Sequence, residues 1–127
     1  MDELLEALTF QDGLVPAVIT DEHGTVLVLC YMDREALRKT LETGRIHVFR
    51  RSRGRVMLKG ETSGHTQHVK EVRVDCEGNS LLFVVQQKVA ACHAGYYSCY
   101  YRRYDAEQNV LEVAEERVFD PAAVYGQ

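Results

Sequence analysis

Residues 15–44, VPAVITDEHGTVLVLCYMDREALRKTLETG, hold two apolar runs separated by a polar tetrapeptide with one glycine, followed by a segment of helical period. Val15–Thr20 and Thr25–Met32 read as strands, because Val, Ile, Thr and Tyr suit a pleated, half-buried surface. Asp21, Glu22, His23 and Gly24 between them fit a hairpin turn, with Gly24 supplying the permissive position. Beyond Met32 the period changes. Asp33 is placed to cap a helix, Ala36, Leu37, Thr40 and Leu41 fall on one face, and Gly44 stands just past the end of REALRKTLET.

Outward from this hairpin and helix, MDELLEAL at the start reads as a short amphipathic helix that Asp12-Gly13 closes with a turn. On the other side strand patterns dominate: IHVFRRS, VMLKGET, HVKEVRVDC, SLLFVVQQK, YYSCYYRRY and VLEVAEERVF, broken by Gly or Asn. There is no internal repeat and no low-complexity segment. A chain of 127 residues, 46% hydrophobic and 27% charged, is expected to form one domain over 1–127 rather than a disordered segment. The first ten residues carry acids where a secretory signal would carry lysine or arginine. No apolar run approaches the roughly 20 residues that cross a bilayer. A cytoplasmic location without membrane contact is therefore expected.

A reducing compartment makes structural disulfides unfavourable and shifts cysteine clusters toward metal or catalytic uses. Of Cys30, Cys76, Cys92 and Cys99, Cys30 lies in VLVLCYM and reads as a core residue of a strand. In ACHAGYYSC, residues 91–99, Cys92 and His93 are adjacent and Cys99 follows, so a metal site competes with a disulfide and with plain core packing. No C-x₂-C knuckle occurs, so the spacing does not describe a closed four-ligand zinc module. Three sulfur ligands would leave a position for water, whose pKa falls to about 7 at catalytic zinc. His93 could be a fourth ligand, a general base, or a buried histidine with its hydrogen bonds satisfied.

Two further segments carry chemistry. In VRVDCEGNSLL, a persisting strand would put Asp75, Glu77 and Asn79 on one face and Cys76 on the other, oxygen donors for Mg²⁺ against a thiolate for Zn²⁺; a polar turn between strands is the plain alternative. An EF-hand is excluded, since Ser80 and Gln86 stand where it needs Gly and Glu. In KGETSGHTQ, Lys59, Glu61, Ser63, Thr66 and Gln67 crowd around Gly60 and Gly64, which let backbone amides approach a ligand closely. Just before it, Arg45, Arg50, Arg51, Arg53, Arg55 and Lys59 fall within fifteen residues free of Asp and Glu, in a chain of net charge −4. That run reads either as a solvated strand edge or as a pocket for an anion such as phosphate. A long nucleic acid partner is disfavoured, because the acidic remainder repels a polyanion.

Together these segments resemble the phosphoribosyl-AMP cyclohydrolase family of histidine biosynthesis. DGLVPAVITDEHGTVLVLCYMDREAL is similar to the family's opening, RSRGRVMLKGETSGHTQ to its arginine and KGE-T-SG signature, and VDCEGN with ACHAGYYSC to its metal-binding region. The resemblance implies zinc on Cys76, Cys92 and Cys99, shared between two subunits of a homodimer, and magnesium on Asp75, Glu77 and Asn79. It implies a small phosphorylated nucleotide, 1-(5-phosphoribosyl)-AMP, as substrate, opened at N1–C6. On this likeness Arg51, Arg53, Ser63 and Thr66 are expected to bind substrate, and His93, Lys59 and Glu61 to act in catalysis. The expected fold is a β-dominated α+β class, a mixed sheet folded into a barrel-like core with two helices, in an intertwined homodimer. The chain departs from the family pattern at Met57, where tryptophan is usual, and at Glu77 and Asn79, where aspartates are usual. A zinc-stabilised dimeric binding protein without turnover is the rival from another class. A zinc nucleoside deaminase is not, since H-x-E and P-C-x-x-C are both missing.

Overall fold

The opening segment folds as its pattern indicates in the structure, a computed structural model that describes residues 1–126. A short helix α1 (Asp2–Ala7) leads to a tight turn at Asp12-Gly13, then to strands β1 (Val15–Asp21) and β2 (Val26–Met32), paired antiparallel. Asp21 closes the hairpin: its Oδ1 accepts the N–H groups of His23 and Thr25, both at 2.9 Å. Helix α2 (Arg34–Thr43) starts at Asp33, whose Oδ1 accepts the Ala36 N–H at 2.7 Å. It ends at Gly44, which at φ 74° donates to the Thr40 carbonyl. The left-handed residue there satisfies a carbonyl that the helix itself leaves unpaired.

Four more strand segments follow the sequence pattern, with shorter bounds: β3 (His47–Arg50), β4 (Arg55–Leu58), β5 (Gln67–Val74) and β6 (Leu81–Gln87). The main sheet has the order β2-β1-β6-β5 and is mixed, because β1 and β6 run parallel while the other pairs are antiparallel. In that parallel pair Ala17 faces Leu81 and Ile19 faces Phe83, and all four are buried. Register therefore stacks the apolar set of both strands on one face. α2 adds Ala36 and Leu37, β2 adds Leu27 and Met32, and Ile46 completes the core.

The barrel-like core is not found: the sheet is open. Closure needs β2 to pair with β5, but β3 and β4 form their own two-stranded ribbon packed beside β2 and α2. The chain ahead of β3 meets the edge of β5 through the Arg45–His68 bridge and the N–H groups of Ile46 and Val69. Three helices rather than two form among the described residues. The third, α3 (Pro121–Tyr125), has Asp120 Oδ1 accepting the Ala122 N–H at 3.1 Å and proline in its first turn.

The last strand readings also contract, to the separate ribbon β7 (Arg102–Asp105) with β8 (Val110–Val113). Residues 96–101 have strand-like composition, but their backbone and side chains are tied elsewhere. Cys99 N–H donates to the Leu27 carbonyl at 2.7 Å, Ser98 Oγ to the Val26 carbonyl at 2.7 Å, and Tyr97 Oη to Asp21 Oδ2 at 2.7 Å. The strand ending at Val74 does not persist either, and residues 75–80 form a turn.

Burial pushes the Asp21 carboxyl up, but the Tyr97 hydroxyl and the N–H groups of Thr25 and His23 outweigh it and hold the group below its ordinary value. Folded Asp21 thus binds its proton more weakly than the unfolded chain does. The stability it adds is complete above the ordinary carboxylate range and drains away as pH falls through that range and below it. Urea denaturation across about pH 6 to 3 should show a shallower acid loss for Asp21→Asn than for the wild type. Tyr97→Phe should cost about 1–2 kcal/mol at neutral pH, as loss of a hydrogen bond to a charged acceptor does. Equal acid slopes in wild type and Asp21→Asn would refute the assignment.

Candidate functional site

Between β2 and the β3–β4 ribbon lies a groove of about 450 Å³. Residues 28–31 of β2 form one side, residues 48–52 and 57–59 the other, and the 60–65 loop with Ala90, Ala91, His93 and Cys99 closes one end. It brings together Arg51, Lys59, Glu61, Ser63, His93 and Cys99, which the sequence scatters over nearly fifty positions.

The 60–65 loop is held by its own backbone. Gly64 N–H donates to the Gly60 carbonyl at 2.8 Å, Glu61 N–H to the Leu58 carbonyl at 3.2 Å, and Ser63 Oγ accepts the His65 N–H at 3.1 Å. Gly60, at φ 87°, lies so close to the returning chain that a Cβ would stand 2.5 Å from the His65 carbonyl oxygen. Lys59 reaches out of this loop, and its Nζ donates to the Ala91 carbonyl at 3.3 Å. One cation thus links the signature loop to the cysteine loop.

In the cysteine loop Ala91 and Cys92 donate backbone N–H groups to the Tyr97 and Tyr96 carbonyls at 2.9 and 3.2 Å. This narrow fold brings the thiols of Cys92 and Cys99 near each other, within range to interact electrostatically. Cys92 is buried, and the Ala94 N–H points at its Sγ at 3.4 Å. Burial pushes the Cys99 thiol up to about 11, helped by Cys92 and opposed by Lys59. The loop departs from β6 through Val89, a β-branched residue at φ 60°. Its far side is fixed by Arg117, whose Nε donates to the Ala94 carbonyl at 2.9 Å.

The other expected site residues stand elsewhere. Arg53 is exposed in the β3–β4 turn, and Thr66 has its hydroxyl 3.4 Å from His68 Nε2; neither lines the groove. Asp75 works inside the 75–80 turn, where its Oδ1 accepts the N–H groups of Asn79 and Ser80, both at 2.8 Å. Those bonds outweigh the effect of burial and hold its carboxyl below the ordinary value. Asp75, Glu77 and Asn79 therefore do not share a strand face. Glu77 and Asn79 border a second recess of about 250 Å³, with Thr9, Gln11 and Pro16. Cys76 is exposed at the same turn.

The turn of Cys76 precedes β6 and the cysteine loop follows it. The seven residues of β6 separate them by about 20 Å at ~3.3 Å per residue. Among the described residues, no three His, Cys, Asp or Glu side chains of one chain gather where a metal could be held. The donor set nevertheless suits zinc: two neighbouring thiols in the cysteine loop, and a third on an exposed turn.

Sequence reasoning missed several groove residues. Cys30, read as core, is half-buried and lines the groove, where burial pushes its thiol up to about 12. Tyr31 lies under the Arg51 guanidinium, 4.3 Å from ring centroid to carbon. His65 presents a ring edge to Phe119 at 4.8 Å, and Tyr125 of α3 reaches the rim. Of these only His65 carried a signal, its place inside KGETSGHTQ.

Comparison with known proteins finds relatives of one family. The family model described as phosphoribosyl-AMP cyclohydrolase matches residues 28–101, the span from β2 through the cysteine loop. A phosphoribosyl-AMP cyclohydrolase of Methanothermobacter thermautotrophicus is 51% identical over 118 residues, 91% of this chain and 84% of its own length. One of Haloquadratum walsbyi is 46% identical over 125 residues, 98% of this chain and 91% of its own. A histidine biosynthesis bifunctional protein of Pyrococcus furiosus is 48% identical over 115 residues, and there the chain spans about half the relative's length, 55%. The chain belongs to the phosphoribosyl-AMP cyclohydrolase family.

The two glycines of the signature loop should respond differently to alanine. Gly64, at φ 78°, has nothing within 4 Å of a Cβ, so Gly64→Ala should cost only the left-handed penalty, about 1 kcal/mol. Gly60→Ala adds a backbone collision and should cost clearly more, about 3 kcal/mol. Urea denaturation of both variants checks this, and equal losses would contradict the packing at Gly60.

Proposed function

We propose that this protein hydrolyses the N1–C6 bond of 1-(5-phosphoribosyl)-AMP in histidine biosynthesis, as a zinc- and magnesium-dependent homodimer in the cytoplasm. The observation that carries this reading is the groove itself. In a chain of this family, it gathers Arg51, Lys59, Glu61, Ser63, His93 and Cys99, with the Cys92 thiol near Cys99 in the same loop.

Cys92 and Cys99 would hold zinc together with Cys76 from a second copy, because Cys76 of the same chain lies a strand's length away. Bound there, zinc supplies a Lewis acid that makes water a nucleophile at neutral pH. Arg51 and the Ser63 hydroxyl hold a substrate phosphate, the guanidinium in the forked geometry that suits it. Arg53 and Thr66 lie outside the groove lining, and their contact with substrate rests on the family likeness alone. His93 and Glu61 move protons: of the two on the water that adds at C6, one passes to the exocyclic nitrogen, which becomes the amide NH₂, and the other is delivered to N1 as the N1–C6 bond breaks and C6 becomes a carbonyl. Lys59, held at the Ala91 carbonyl, supplies positive charge where oxygen at C6 gains negative charge. Magnesium would sit on Asp75, Glu77 and Asn79, which offer oxygen donors but two formal charges rather than three. It would organise the second phosphate.

Ring opening changes the ultraviolet spectrum of the substrate, so turnover separates this enzyme from a protein that only binds. Chelator should abolish the signal and zinc with magnesium should restore it; an unchanged substrate spectrum would overturn the proposal. Cys92→Ser and Cys99→Ser should each lose activity and zinc. A shared site makes a sharper demand. Mixing inactive Cys76→Ser with inactive Cys92→Ser should restore about a quarter of wild-type activity, since half the dimers are mixed and each has one intact site of two. No recovery from subunits shown to exchange would exclude the shared arrangement.

The magnesium half has its own test. Glu77→Asp with Asn79→Asp adds a charge and shortens the reach of one donor, so activity should saturate at lower Mg²⁺ with zinc content unchanged. Equal or greater demand for Mg²⁺ would refute the charge argument.

A further inference from the structure

We infer that Tyr31 is a positioning residue for the reaction: its ring holds the Arg51 guanidinium over the groove, with its N–H groups presented to a phosphate monoester of the substrate. This rests on the functional reading above and concerns a residue that neither the motif nor the family likeness assigned.

Four arginine–aromatic stacks occur among the described residues: Arg34 on Phe10, Arg51 on Tyr31, Arg102 on Tyr101 and Arg117 on Tyr96. Only in the Arg51–Tyr31 pair do both members line the groove. Tyr31 is fixed by the sheet, standing opposite Pro16 in the β1–β2 register; Arg51 sits exposed in the 50–54 turn, whose backbone is closed by the Arg53 and Gly54 N–H groups donating to the Arg50 carbonyl but gives its guanidinium no polar partner. Stacking uses the face of the guanidinium and leaves its five in-plane N–H donors free. Those donors have no hydrogen bond and no ion pair among the described residues. Glu61, a carboxylate lining the same groove, is not paired with Arg51. An arginine without its platform would be drawn to that carboxylate or out into solvent, and the substrate would have to reorder it. The Tyr31 hydroxyl makes no hydrogen bond among the described residues, so the ring face is the part that acts.

The test compares wild type with Tyr31→Phe, Tyr31→Leu, Arg51→Lys and the Tyr31→Leu, Arg51→Lys double variant. Binding of AMP is measured by calorimetry, and KM and kcat are measured by the ring-opening assay. Tyr31→Phe keeps the aromatic face and should hold AMP affinity and KM within about twofold of wild type. Tyr31→Leu should weaken AMP binding and raise KM about tenfold with kcat nearly unchanged. It should have little further effect in the Arg51→Lys background, because both changes remove one arrangement. A thermal midpoint of Tyr31→Leu close to wild type separates this from unfolding. The inference is overturned if Tyr31→Leu binds AMP as wild type does, if Tyr31→Phe is as damaging as Tyr31→Leu, or if the two losses add in the double variant. If wild type binds AMP but opens no ring, the functional reading fails and the AMP affinities alone decide the role of Tyr31.

Discussion

The parallel pairing of β1 with β6 is the constraint on which the rest of the molecule depends. It joins the first hairpin to a strand some sixty residues later, and everything between, α2, the β3–β4 ribbon and β5, must leave and return within that crossover. Long-range pairing of this kind is costly in loop entropy, and burial in register offsets it: Ala17, Ile19, Leu81 and Phe83 all leave water on one face. Because the strands are parallel, the end of β6 arrives beside the β1–β2 turn rather than at its far end. That is where Asp21, Val26 and Leu27 receive Tyr97, Ser98 and Cys99.

The groove follows from this geometry. One side is β2, the outer strand of the hairpin; the other is the ribbon that the crossover left beside it; the end is closed by the loop that β6 delivers. Lysine 59 ties the last two together through the Ala91 carbonyl. The oxygen-bearing turn at 75–80 precedes β6 and is therefore placed at the opposite end of that strand from the cysteine loop. Two chemically distinct donor sets on one strand thus cannot meet within a single chain.

Much of this was legible in the sequence wherever a signal is local. Asp33 and Gly44 bounded α2 to the residue, and Gly24 with alternating apolar residues marked the first hairpin. Gly60 was read as making room for a ligand, whereas the space it leaves is taken by the returning chain at His65. What failed was decided at a distance. Residues 96–101 have the aromatic content of a strand, yet their donors go to the hairpin. Alternation at 75–79 mimicked a strand while Asp75 spent its carboxylate closing a turn. The barrel was misjudged because nothing local says whether the outer edges β2 and β5 will meet. Tyr31 and Cys30 sit in an apolar run that reads as core, and only the placement of the ribbon shows that their strand borders a groove. Helix α3 was readable in retrospect from Asp120 followed by proline.

Val89, held in the left-handed region where a β-branched side chain is poorly tolerated, stands at the point where β6 gives way to the cysteine loop. Such a residue carries a local cost of order 1–3 kcal/mol that the surrounding hydrogen bonds must sustain. Glycine there would relieve the cost in the folded state but would also widen the range of directions in which the loop can leave the sheet. The position marks a trade between robustness and preorganisation: a sequence selected only for thermal endurance would discard this valine, and the direction in which two thiols are presented would be the property lost.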